Sequence, residues 1–319
     1  MNRKDIHLLC WKKAKMWSFM LLAACTVAVT SCGEDDEVFL PEYDYNTLND
    51  GIADDVKYFN NPPYPANANP LRILAIGSSF TDDATYYLDN LVKASDIDED
   101  RLCIYKIVEG FSRFNTWIDK SNKEETLYAK RITGNVEMKG VGTLKELLSQ
   151  AWDVIVINQA SDASYKWESY SPLKPYMEML LEACTNKDVC FAFQLQWSHT
   201  PGEMPYVMQG NTACCQKMAN RYGIDVIIPC GTAIQIARGT SLNDSKYMTR
   251  DRYHLNHGMG CYIASCVWFQ KLLSPVFCCS VVGNSAKPDG NYTADDTLLG
   301  QRCAEYAVNN TYDYTHTMD

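Results

Sequence analysis

Neither of the glycine-rich phosphate cradles, G-x-G-x-x-G and G-x-x-x-x-G-K-[ST], occurs in the 319 residues. That removes the usual dinucleotide and nucleoside-triphosphate sites from consideration. Positive charge is scarce, with 29 Lys and Arg against 39 Asp and Glu. A surface of that sign repels phosphate backbones, so no nucleic acid partner is expected. No C-x-x-C pair is present, and the doublets Cys214–Cys215 and Cys278–Cys279 lack zinc-finger spacing. There is no internal repeat, and no apolar run reaches the about 20 residues of a membrane-spanning helix. What remains is a chain 46% hydrophobic and 21% charged, enough for one sizeable core.

The N-terminus does not read as fold. Arg3, Lys4, Lys12, Lys13 and Lys15 precede the short apolar stretch Met16–Thr30, the pattern of a secretory signal over residues 1–31. Val29-Thr30-Ser31-Cys32 resembles a bacterial lipobox, which makes Cys32 the expected lipidation site; Leu22–Cys25 fits that consensus slightly better but would leave apolar residues on the mature chain. Glu34, Asp35, Asp36 and Glu37 follow, resembling the acidic tag of surface-exposed lipoproteins. Loss of residues 1–31 removes five basic residues and one acid, leaving 24 basic against 38 acidic and a net charge of −14. Eleven cysteines remain besides Cys32, an odd and scattered set that does not read as a disulfide scaffold. Residues 32–70, acidic and then Asn- and Pro-rich, suit a tether.

From Leu71 onward, short apolar runs alternate with helical patterns. Strands are expected at 71–77, 101–110, 152–159, 188–198 and 224–231. Helices are expected at the "DDATYYLDNLVKAS" stretch, from near Ser112, and at about 171–186, 204–221 and 258–273. This alternation predicts an α/β domain over 71–275: three-layer and flavodoxin-like, with a parallel sheet of about five strands. A C-terminal extension, 276–319, adds one peripheral helix. The active site of such a sheet lies at the carboxyl ends of its strands.

Gly77-Ser78-Ser79-Phe80-Thr81 follows the first strand, and its serines suit either a helix cap or a nucleophile. A nucleophilic serine needs a base, and the base needs an acceptor that fixes its tautomer. Asp251 and His254, in D-x-x-H spacing, supply both from one loop. His257 extends this to D-x-x-H-x-x-H, which could hold a metal, but no further ligand set accompanies it, so no metal is expected. His199, in "QWSHT", is placed to line the cleft or to serve a loop. Tyr165, Trp167 and Tyr170, after the third strand, offer flat amphipathic faces for a sugar, or else pack their loop onto the domain.

Taken together, these blocks resemble the SGNH (GDSL-type) hydrolase superfamily over about Leu71 to Leu273, and most of all its secreted bacterial members. The resemblance implies Ser79 as nucleophile, His254 as base and Asp251 as its orienting acid. It implies an oxyanion hole from the N–H groups of Ser79 and Gly110 plus a side-chain amide. Two blocks depart from the pattern. Ser78 stands where Asp or Asn is usual, and the third block reads Asn158-Gln159-Ala160-Ser161-Asp162. Gln159 is the expected amide donor, with Ser161 (by strict alignment) and Asn158 as alternatives. The implied activity is a cofactor-free serine esterase that removes O-acetyl or similar acyl groups from a polysaccharide, at the outer membrane of a Gram-negative cell. The alternative is an inactive or weak relative that binds an acylated glycan. The sequence does not indicate an oligomeric state.

Overall fold

The apolar run Leu71–Gly77 forms β1, at the heart of a six-stranded sheet. The structure is a computed structural model and describes residues 42–199 and 205–318; the signal, Cys32 and the acidic run lie outside the described residues. β1 pairs in parallel with β2 (Leu102–Val108) on one side and with β6 (Val154–Ile157) on the other, Gly77 opposite Val108 and Ile76 opposite Ile157. Beyond β6 lie β7 (Cys190–Gln194) and β8 (Val226–Ile228), also parallel. The parallel order β2-β1-β6-β7-β8 is the doubly wound 2-1-3-4-5 arrangement, whose crevice opens where the winding reverses beside β1.

A sixth strand was not expected from the sequence. β4 (Lys130–Thr133) runs antiparallel along the outer edge of β2, and β3 (Leu127–Tyr128) pairs with β5 (Val141–Gly142) in a separate ribbon. The segment "KRIT" is short and charged, which suits an edge that must not recruit further strands. That same composition hides it from a search for apolar runs.

Successive residues of β1 face opposite ways, so Ile73 and Ala75 join one core and Leu74 and Ile76 the other. The first core is covered by α1 (Ser79–Ala84), α2 (Leu88–Lys93), α7 (Cys230–Arg238), α8 (Met259–Trp268) and α9 (Ala294–Asn309). The second is covered by α3 (Phe114–Asn122), α4 (Leu144–Leu148), α5 (Leu173–Ala183) and α6 (Tyr206–Tyr222). "DDATYYLDNLVKAS" is two helices rather than one. The Thr85 hydroxyl donates back to Thr81 O at 2.8 Å, and Tyr87 N–H turns aside to Ser265 Oγ at 3.0 Å.

Two segments outside the expected domain pack onto it. Within 42–70, a stretch whose composition predicts a tether, Tyr43 is buried beside Tyr206, and Asn61 exchanges two hydrogen bonds with the Phe191 backbone at 2.7 and 2.9 Å. α9, expected to be peripheral, buries Cys303, Ala304 and Ala307 completely. Its small residues let it lie close against α7 and α8 and close the first core. Among the described residues every cysteine is free and nine of the eleven are buried; they behave as small apolar side chains.

Candidate active site

The β1–α1 turn gives its two serines different tasks. Ser78 is the N-cap of α1: it is buried, in extended backbone, and its Oγ accepts from Phe80 N–H at 3.3 Å. Ser79, the first helical residue, is half-buried, and its Oγ lies 2.8 Å from His254 Nε2. His254 Nδ1 lies 2.8 Å from Asp251 Oδ2. A carboxylate on Nδ1 puts the proton there and leaves Nε2 free to accept from the serine hydroxyl.

Asp251 is held by its own loop. Its Oδ1 accepts from Tyr253 N–H at 3.0 Å and His254 N–H at 2.8 Å. Partial burial pushes its carboxyl up, but these backbone hydrogen bonds and the His254 ring outweigh that and hold its pKa at about 2. Thr249 bridges Leu255 and Arg250 N–H donates to His254 O at 2.9 Å, so the loop is a narrow antiparallel turn.

What ties this loop to the nucleophile is Asp83, one turn of α1 beyond Ser79 and buried. Its Oδ2 accepts from Leu255 N–H at 2.9 Å and its Oδ1 from Arg250 Nη1 at 2.9 Å; Arg250 Nη1 also donates to Leu255 O. Burial pushes the Asp83 carboxyl up, against the opposing pull of Arg250 and His254. Phe80 completes the brace. It stacks on Trp197 at 4.1 Å and meets the His254 ring edge-on at 5.9 Å, while Trp197 Nε1 donates to Tyr253 O at 2.9 Å. His199 is buried between Phe80 and Tyr253, 4.8 Å from the latter. Sequence reasoning missed Asp83 and Arg250, because nothing in a lone "DD" or "RDR" shows that they meet.

The β2–α3 turn lies against the nucleophile turn. Glu109 N–H and Ser112 Oγ both donate to Gly77 O, at 3.1 and 3.0 Å. Gly110, between them, is exposed, with open space where a Cβ would be. Gly77 itself admits no side chain, since a Cβ would lie 2.1 Å from Thr81 Oγ1 and 2.8 Å from Asn158 Oδ1.

The third block is arranged differently from expectation. Gln159 is fully buried and turned into its own loop: Nε2 donates to Ser169 O at 2.8 Å and Ser169 Oγ at 3.1 Å, and Oε1 accepts from Ala160 N–H at 3.0 Å. Its amide is committed to holding the loop. Asn158, one residue earlier, is the amide that reaches the nucleophile helix, with Nδ2 donating to Thr81 Oγ1 at 2.8 Å. Its Oδ1 takes no hydrogen bond among the described residues. Ser161 lies in the following turn, where its carbonyl accepts from Ser164 Oγ at 3.2 Å.

The expected sugar platform is largely internal. Trp167 and Tyr170 are buried and stacked at 5.3 Å, and Trp167 Nε1 donates to Asp50 Oδ2 at 3.0 Å. Asp50 belongs to the N-terminal segment that lies over them, which the composition of that segment does not reveal. Only Tyr165 stays half-exposed, 6.4 Å from His199. His257 is exposed and stacks on Tyr86 at 4.6 Å. Among the described residues no three His, Cys, Asp or Glu are grouped to hold a metal. A cavity of about 570 Å³ lies between Tyr45–Asp54 and α6. Its Lys217 and Arg221 are paired with Asp50, and it contains no nucleophile–base pair.

The family model described as "Domain of unknown function (DUF4886)" matches residues 72–307. A crystal structure of a DUF4886 family protein from Bacteroides uniformis ATCC 8492 is similar at 26% identity and a TM-score of 0.65, covering 76% of this chain and 96% of that one. A catalytic mutant of an acetylxylan esterase from Geobacillus stearothermophilus matches at 11% identity and a TM-score of 0.44, over 65% of this chain and 96% of that one. No curated protein matches the chain.

Proposed function

The chain belongs to the DUF4886 family, and we propose that this member is a serine esterase that removes O-acetyl or similar acyl groups from a polysaccharide. The observation that carries the reading is the continuous relay from Ser79 Oγ through His254 to Asp251, both links 2.8 Å, at the switch point of a doubly wound sheet. A capping or loop role requires no such alignment.

In the reaction, Ser79 Oγ attacks the ester carbonyl and its proton passes to His254 Nε2, while Asp251 stabilises the imidazolium. The oxyanion is met by the N–H groups of Ser79 and Gly110, on two turns that the Gly77 carbonyl joins. Collapse breaks the ester C–O bond, and His254 returns the proton to the departing sugar hydroxyl. Water, activated by the same imidazole, then releases the acid and restores the serine. Every step is proton transfer or acyl transfer, so the chain's own groups suffice. The resemblance to secreted SGNH hydrolases supports the glycan ester as substrate.

The test is covalent labelling of the purified protein with a fluorophosphonate. Wild type and Ser78→Ala should label and Ser79→Ala should not; label retained by Ser79→Ala would refute the assignment. The reading also makes the protein an outer-membrane lipoprotein, supported by the basic front, the apolar core and Cys32. Cys32→Ala should leave the membrane fraction, and its retention there would refute this part alone.

A further inference from the structure

Phe111 occupies a position that local energetics assign to glycine. Its φ is +54°, in the left-handed region that a bulky side chain rarely enters. Its surface is 69% exposed, so packing does not offset the strain. The one glycine of the turn, Gly110, stands a residue too early to relieve it. The turn cannot relax, because Glu109 and Ser112, on either side of Phe111, are both bonded to the Gly77 carbonyl that precedes the two serines. An exposed aromatic ring is thus held in strained backbone beside the proposed oxyanion donor. Strain retained at such a place is a mark of function.

We propose that Phe111 is a substrate-binding residue whose ring stacks on the sugar that carries the scissile ester. The inference rests on the esterase reading above and names the part of the substrate that this residue holds. A pyranose presents a face of C–H groups between polar edges, which suits the electron-rich face of a single ring. The surroundings fit a ligand of that kind. Two residues after Phe111, the half-exposed Arg113 pairs with Asp162 and joins the β2–α3 turn to the third block, so polar groups accompany the ring. A lipid acyl chain would need a continuous apolar trough. Here the exposed apolar side chains on the turns that carry the site are two separate rings, Phe111 and, past α1, Tyr86, which stacks on His257.

The experiment compares two acetate esters by pH-stat: xylose tetraacetate, which offers a ring, and ethyl acetate, which does not. For Phe111→Gly the ratio of kcat/KM on the sugar ester to that on ethyl acetate should fall about three- to tenfold, the range of one aromatic contact. Its Tm should equal or exceed that of wild type, because the strain is relieved. Phe111→Tyr, which keeps the ring, should restore the ratio. An unchanged ratio in Phe111→Gly, or a lowered Tm, would overturn the role of Phe111 while leaving the esterase intact. A wild type inactive on both esters would overturn the esterase reading itself, and this inference with it.

Discussion

Removing the Asp83 carboxylate tests how the base loop is held to the nucleophile. In Asp83→Ala, the buried Leu255 N–H loses its acceptor, at a cost of about 1–3 kcal/mol. The Arg250 pair is broken as well, and breaking a fully buried pair costs about 3–5 kcal/mol. Arg250 keeps 35% of its side chain exposed and turns to water, so the second figure is too high here, and the two terms share one carboxylate. The total is about 3 kcal/mol, which lowers Tm by about 6–12 °C in a domain of this size. Leu255 directly follows His254, so a loosened loop displaces the imidazole. On a small acetate ester kcat should fall about 10- to 100-fold, with KM little changed. Asp82→Ala is the control, since that carboxylate is exposed and paired with Lys106, worth under about 1 kcal/mol. Thermal melts and steady-state kinetics on both variants decide the matter. If Asp83→Ala melts within about 2 °C of wild type with normal kcat, or if Asp82→Ala matches it, Asp83 is not a positioning residue.

Gln159→Ala should cost about 1–3 kcal/mol in urea unfolding, through its lost bonds to Ser169 and Ala160, and lower kcat less than tenfold; a kcat loss of about 10²–10³ with stability intact would return Gln159 to the oxyanion hole. Asp251 titrates lower in the folded chain, about 2 against an ordinary 3.8, so its stabilisation is present above the ordinary value and is lost as pH falls towards 2. The stability gap between wild type and Asp251→Asn should therefore narrow between about pH 4 and pH 2, as read by denaturant unfolding at each pH. A gap that stays constant across that window would show that the carboxylate's ionisation does not support the fold.

The parallel core was legible because β1, β6, β7 and β8 are buried on both faces and read as unbroken apolar runs. The D-x-x-H spacing was equally plain, because a short loop can present both side chains without help from distant residues. Legibility failed where orientation depends on tertiary partners. Asn158 and Gln159 are adjacent amides at the end of β6, and only the actual strand end decides which one turns toward α1. Trp167 and Tyr170 read as a platform because nothing marks Asp50, more than a hundred residues earlier, as the group that covers them. β4 lacks the apolar signature of the other strands because, as an edge strand, it leaves Lys130 and Arg131 exposed to solvent. The strain at Phe111 is a backbone angle, which no residue type announces.

Helix α1 is six residues long, and three of them face the site's needs from different sides: Ser79 toward the base, Phe80 against its ring, and Asp83 into its loop. The smallest unit that could be grafted onto another scaffold is therefore larger than three side chains. It comprises Gly77 to Asp83 together with Thr249 to Leu255, two segments distant in sequence that behave as one mechanical part. Asp83 bonds both Leu255 and Arg250, so a shift of the helix that bears the serine would draw the imidazole's loop with it. Warming should leave the site assembled until the domain melts as a whole, rather than dissolve it by degrees.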